Sequence, residues 1–135
     1  FSGDATGETF NYEGKTDILI KVDGKNIFIG ECKFWTGKKG YLETLDQVLS
    51  YLSWRDTKAA VLVFSRNKDF TGVLSKIEES TAKHPSFKKQ VSKRSESSWT
   101  YLFGHKDDAN REISITVQAY NVPERIEPRI RPLGR

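Results

Sequence analysis

The feature that most constrains this chain is the stretch GKTDILIKVDGKNIFIGECKFWTG, residues 14–37. Two runs of β-branched and aromatic residues flank Asp23-Gly24, a dipeptide that favours a tight hairpin turn. The chain therefore starts as an antiparallel pair, Thr16–Val22 with Asn26–Trp35. Charge interrupts the second strand at Glu31 and Lys33, and Asp17 lies on the first. Alternation puts Ile27, Ile29, Glu31, Lys33 and Trp35 on one face and Phe28, Gly30, Cys32 and Phe34 on the other. A buried charge is costly unless it is paired or put to use.

Register decides whether Asp17 joins Glu31. A regular two-residue turn puts Asp17 opposite Gly30, on the wrong face. An odd loop, or a bulge near Asp17, puts it on the face of Glu31. We expect the odd loop or the bulge. Two carboxylates on one face repel, and a hard divalent cation such as Mg²⁺, for which Mn²⁺ substitutes, relieves the repulsion. Lys33 beside it suits an attacking water or the charge on a phosphate. The plainer alternative is an ion pair at a strand end, Lys33 with Asp17 or Glu31.

Further along, Leu42, Leu45, Val48, Leu49 and Leu52 recur at helical spacing and predict a helix over Tyr41–Trp54. AAVLVFS (59–65) is a continuous apolar run, as in a buried parallel strand. Residues 69–84 predict a second helix, with Asp69 as N-cap. WTYLFGH (99–105) and EISITVQAY (112–120) predict another hairpin. Phe10–Tyr12 is expected to be a short strand and residues 1–9 a loop. The order is then β-β-β-α-β-α-β-β, an α/β domain with a central mixed sheet and helices on its faces.

The 135 residues make one domain, 1–135, with 121–135 as a C-terminal arm or tail, and the start at Phe1 in a chain without Met suggests a piece of a longer protein with other domains. No run is long and apolar enough for a membrane helix. One cysteine, Cys32, fits a reducing cytoplasm. Residues 1–37 hold four Lys/Arg against six Asp/Glu, whereas KHPSFKKQVSKR (83–94) holds five basic residues and no acid. An acidic pocket beside a basic surface suits a metal-dependent enzyme acting on a polyanion. A solvated basic loop is the alternative.

Asp17, thirteen residues, then Glu31-Cys32-Lys33 resembles the PD-(D/E)xK phosphodiesterase superfamily, with Thr16 where its motif has proline. The resemblance covers about half the chain. It implies a restriction-endonuclease-like three-layer α/β fold with a central mixed β-sheet flanked by helices, built on an αβββαβ unit whose first helix is either missing or upstream. It implies a Mg²⁺-dependent nuclease, an endonuclease or an exonuclease, without fixing the substrate; we expect DNA rather than RNA. Asp17 and Glu31 match the metal-binding acids, with the backbone carbonyl of Cys32 as a further ligand. Lys33 matches the catalytic lysine. Gln47, one helical turn before Tyr51, matches a glutamine that supports the active site or approaches the nucleic-acid backbone. The family's additional acid has only Glu8 or Glu13 as stand-ins. Lys38, Lys39, Tyr51, Lys88, Lys89, Lys93 and Arg94 are the expected nucleic-acid contacts. Trp35, Tyr41 and Trp54 are placed to stack on bases. A homodimer is compatible with this reading. Two other readings stand beside it: a catalytically inactive nucleic-acid-binding module on the same fold, and a protein-interaction domain with an ion-paired hairpin.

Overall fold

The computed structural model describes residues 4–8, 16–22, 25–52, 58–105, 107–108 and 110–122, up to position 27 as backbone. The elements run β1 (Asp4–Glu8), β2 (Thr16–Val22), β3 (Lys25–Phe34), α1 (Lys38–Tyr51), β4 (Lys58–Ser65), α2 (Phe70–Ala82), β5 (Phe87–Ser95), β6 (Ser98–Gly104) and β7 (Glu112–Asn121). The described strands form one sheet in the order β1-β2-β3-β4-β7-β6-β5. β3, β4 and β7 are mutually parallel at its centre, and the outer pairs are antiparallel. The protein is thus α/β with a mixed sheet, as its pattern predicts. The expected strand at Phe10–Tyr12, Trp54 and the arm beyond Val122 lie outside the described residues.

Each parallel connection needs a crossover, and the two helices supply them. α1 starts where TGKKG breaks the strand pattern: Gly37 has φ 130°, a conformation that glycine adopts without a Cβ penalty. α2 starts at Asp69, whose Oδ1 accepts from the Gly72 N–H at 2.9 Å, the expected cap. Both helices pack on one face of the sheet. Tyr41, Leu45, Val48, Val73, Leu74 and Ile77 meet alternate residues of four strands in a single core, and the Tyr41 hydroxyl is 2.6 Å from Thr81 Oγ1. The layers described are therefore two, sheet and helices, against the three that the resemblance implies. The other sheet face carries no described element.

The basic stretch 83–94 is not a loop. Most of it is β5, the sheet's edge strand, with Lys88 through Ser95 exposed. It lacks apolar alternation because only Phe87, at its start, packs on the core, and its ladder bonds to β6 hold the rest. Lysine on an edge strand also deters edge-to-edge pairing. β1, read as loop, is likewise an edge strand with no apolar run to announce it.

One polar anchor ties β5 to the core. Glu78 Oε2 accepts from Trp99 Nε1 at 2.7 Å and from Lys93 Nζ at 2.9 Å. The Lys93 hydrogen bond does most to hold the Glu78 carboxyl below the usual range, against partial burial that raises it. A lowered folded-state pKa stabilises above the unfolded pKa and is lost as pH falls through the folded one. The pair is more than a third exposed, so it contributes under ~1 kcal/mol. Acidification below the ordinary glutamate range is expected to shift the Trp99 indole N–H resonance before global unfolding, and Glu78→Gln should remove that shift.

Candidate functional site

The hairpin between β2 and β3 closes over two residues, with Val22 opposite Lys25. That turn alone would put Asp17 opposite Gly30. The register shifts once, between Ile20 and Lys21, where Ile27 is the extra residue on β3, and Asp17 becomes the Cα partner of Glu31. The bulge is the one the face argument requires, although it sits nearer the turn than Asp17. β1 extends the row, because Glu8 is the Cα partner of Asp17. Directly opposed residues of antiparallel strands share a face. Glu8, Asp17 and Glu31 therefore occupy one row of positions across three strands, about 5 Å apart from strand to strand. Glu8 is the stand-in that the sequence named without a reason to prefer it over Glu13.

Glu31 is fully buried, in a strand paired on both sides, with Val61 as its neighbour on β4. Burial of an ionised carboxylate is unfavourable without a compensating cation or hydrogen bonds. Lys33 lies two residues on, on the same face, half-buried, opposite Val63. Its end rests against the first turn of α1. A Cβ built on Gly40 would stand 3.4 Å from Lys33 Cε, 3.7 Å from Lys33 Nζ and 2.8 Å from Thr36 Oγ1. A methyl at Gly40 would meet Lys33 at ordinary contact distance and would require only Thr36 Oγ1 to shift. Gly40→Ala gains helix propensity worth up to ~1 kcal/mol against that local adjustment, and is expected to move the thermal midpoint by no more than a few degrees, read by calorimetry.

α1 carries no side-chain cap at its N-terminus. Its first-turn N–H groups and the Lys33 ammonium put positive potential in one place. Gln47 is half-buried on this helix, which packs on β3 and β4, and its Nε2 donates to the Tyr51 hydroxyl at 2.7 Å. The expected Gln47–Tyr51 face is real, with Tyr51 43% exposed. Cys32 sits on the opposite face, half-buried, between Thr16 and Leu62 in the ladder.

The expected phosphate contacts scatter. Lys38 is bound to Glu79 on α2 at 2.7 Å, and Lys39 is exposed. Lys88 and Lys93 reach Glu112 and Glu78, whereas Lys89 and Arg94 are exposed on β5. β5 lies four strands from β3, so these groups stand ~19 Å from Glu31 rather than beside it. Trp35 packs on Tyr41 at 6.0 Å between ring centres, and Tyr41 is buried in the core. Burial pushes the Tyr41 phenol well above its ordinary pKa. Tyr41 is a packing residue, out of reach of a base.

His84 lies against the core: its side chain is 7% exposed, edge-on to Phe103, with Nε2 2.7 Å from Asp46 Oδ1. The Ser86 N–H donates to its Nδ1, which fixes the ring in place. Among the described side chains, no three His, Cys, Asp or Glu residues stand close enough to hold a metal ion. Glu8 and Asp17 enter by register alone.

Comparison with protein-family models, curated proteins and solved structures returned no match.

The site therefore rests on its own residues. Among the described residues no helix is long and apolar enough to cross a membrane.

Proposed function

We propose that this chain is a metal-dependent nuclease of the PD-(D/E)xK kind, hydrolysing phosphodiester bonds of DNA. One observation carries the reading: a single bulge brings Asp17 opposite a fully buried Glu31, two residues before Lys33. The β1-β2-β3-α1-β4 order, with β3 parallel to β4, is also the order the restriction-endonuclease-like unit would have after its first helix.

The donor set fits a hard cation. Two acidic positions in direct cross-strand opposition are unfavourable when both are ionised, and carboxylate oxygens suit Mg²⁺ or Mn²⁺. Asp17 and Glu31 would hold the ion, with the carbonyl of Cys32 as a further ligand and Glu8 as the additional acid. The ion, when bound, would supply Lewis acidity and a water of lowered pKa. As the free amine Lys33 would accept a proton from the attacking water; as the ammonium it would instead hold a phosphate oxygen. The uncapped start of α1 would hold another, as helix N-termini do with phosphate. Gln47 would orient the site from α1.

The test is cleavage of linear, circular and single-stranded DNA in Mg²⁺ or Mn²⁺ against chelator. Lys33→Ala should lose about 10²–10³-fold in rate with DNA binding kept. A wild type that binds DNA in a salt-sensitive way without cutting would be an inactive binding module on the same fold. A wild type that does neither would fit the ion-paired interaction domain.

A further inference from the structure

The helix-free face of the sheet carries a second constellation. Phe34, Phe64 and Tyr120 are successive Cα partners across β3, β4 and β7. Their rings form a row, 5.7 Å between Phe34 and Phe64 and 5.4 Å, stacked, between Phe64 and Tyr120. Tyr120 is 43% exposed and the other two are half-buried. Arg66, just past β4, lies with its guanidinium carbon 4.3 Å from the Phe34 ring centre. The same face continues into a concavity of about 500 Å³ whose floor is small, at Gly30 and Ala60. Thr116 and Gln118 line it with polar groups, and Lys58 lines it where β4 begins.

Charge on this face is one-sided. Among the described positions of β3, β4, β6 and β7 that share it, Lys25, Lys58 and Glu112 are the charged ones, and Glu112 is bound to Lys88. Lys58 and the Arg66 guanidinium remain without a carboxylate partner in the described structure. Three aromatic rings in a row, an arginine stacked on the first, hydroxyl and amide groups behind them and cations at both ends match one polymer: unpaired bases on a phosphate backbone. Aromatic residues and arginine also suit a protein interface, but lysine is depleted there, and Lys58, with no carboxylate bound to it among the described residues, favours a polyanion. The row is also continuous with the proposed site. Phe34 follows Lys33 on the opposite face of the same strand end, so a chain leaving Lys33 reaches the rings by crossing the carboxyl edge of the three parallel strands.

We infer that this face is a stacking platform for single-stranded nucleic acid, formed by Phe34, Phe64 and Tyr120 with Arg66 and Lys58. The inference needs no catalysis, and its test is run in chelator. Anisotropy of a short fluorescein-labelled oligothymidine should show Tyr120→Ala weakening binding about five- to hundredfold, the range for loss of one base–aromatic stack. Tyr120→Phe should retain affinity. Ultraviolet crosslinking should attach the oligonucleotide to peptides holding Phe64 or Tyr120. Unchanged affinity in folded Tyr120→Ala, with crosslinks confined to β5 or α1, overturns the platform and leaves the nuclease reading standing. Self-association that Tyr120→Ala abolishes while oligonucleotide affinity is unmoved assigns the face to a second copy of the chain and overturns it too. Metal-dependent cleavage lost in Lys33→Ala, beside a binding defect in Tyr120→Ala, keeps both readings. A binding defect without cleavage by the wild type keeps the platform alone.

Discussion

Glutamine in place of Glu31 is expected to abolish metal-dependent cleavage and, in metal-free protein, to raise the thermal midpoint. The two effects have one cause. Glu31 is fully buried and stands opposite Asp17, so its charge is held where water cannot screen it. Glutamine has nearly the same shape and no charge. Relief of cross-strand repulsion and desolvation is of order 1 kcal/mol, or a few degrees in a domain of this size. Loss of a metal-holding oxygen removes several kcal/mol of transition-state stabilisation, about 10³-fold in rate or more. The ion-paired hairpin predicts the opposite sign for stability, because removing one partner of a buried pair is destabilising. A scanning-calorimetry trace in chelator, with and without Mg²⁺, separates them. The wild type should gain stability from Mg²⁺ by mass action, and Glu31→Gln should not. A variant less stable than wild type in chelator, with no Mg²⁺ shift in either protein, would remove the metal site.

Much of the centre of this fold is legible in the sequence, and its edges are not. β2, β3, β4, β6 and β7 announce themselves by alternation or by an apolar run, and the last four each pack on the core through one face. β5 carries FKKQVSKRS, and the reason it reads as a loop is physical: only Phe87 touches the core, and the ladder to β6 does the rest. The bulge was legible through a conflict. A two-residue turn at Asp23-Gly24 and a shared face for Asp17 and Glu31 cannot both hold without one extra residue, and Ile27 is that residue. The number of layers was not legible. AAVLVFS reads as a strand covered on both sides, yet Leu62 and Phe64 are half-buried on a face with no described helix. Their hydrophobicity serves the aromatic row, so periodicity alone assigned them to a core. Glu8 was visible as an acid but not as a partner, since only pairing of β1 to β2 puts it beside Asp17.

Trp99→Ala is expected to be the most destabilising single change in the chain, and its pattern should be the reverse of Glu31→Gln. Trp99 is fully buried, stacked on Tyr101 at 6.3 Å, and its indole N–H donates to Glu78. It lies in the row that crosses the sheet from Asp17 through Glu31, Val61 and Val117. Truncating a buried tryptophan costs about 3–5 kcal/mol through lost transfer energy and the cavity left behind. Against a total of ~5–15 kcal/mol for a domain, that is at least a fifth of the stability, a fall of roughly 10–20 °C in thermal midpoint. Trp99→Phe fills most of the space and should cost less than half as much. The Glu78 carboxylate is spared an orphaned state because Lys93 and water still reach it, so the hydrogen bond adds little to the loss. The effect is scaffold and not chemistry. Val61 and Val117 separate Trp99 from Glu31, and the strands that hold Asp17, Glu31 and Lys33 pair with one another and with β4 rather than with β6. At low temperature, where the variant remains folded, cleavage per folded molecule should match the wild type, and activity should fall on warming along the unfolding curve. Loss of activity below the melting transition would mean that β6 positions the site directly, and the separation of the proposed metal site from the tryptophan core would be wrong.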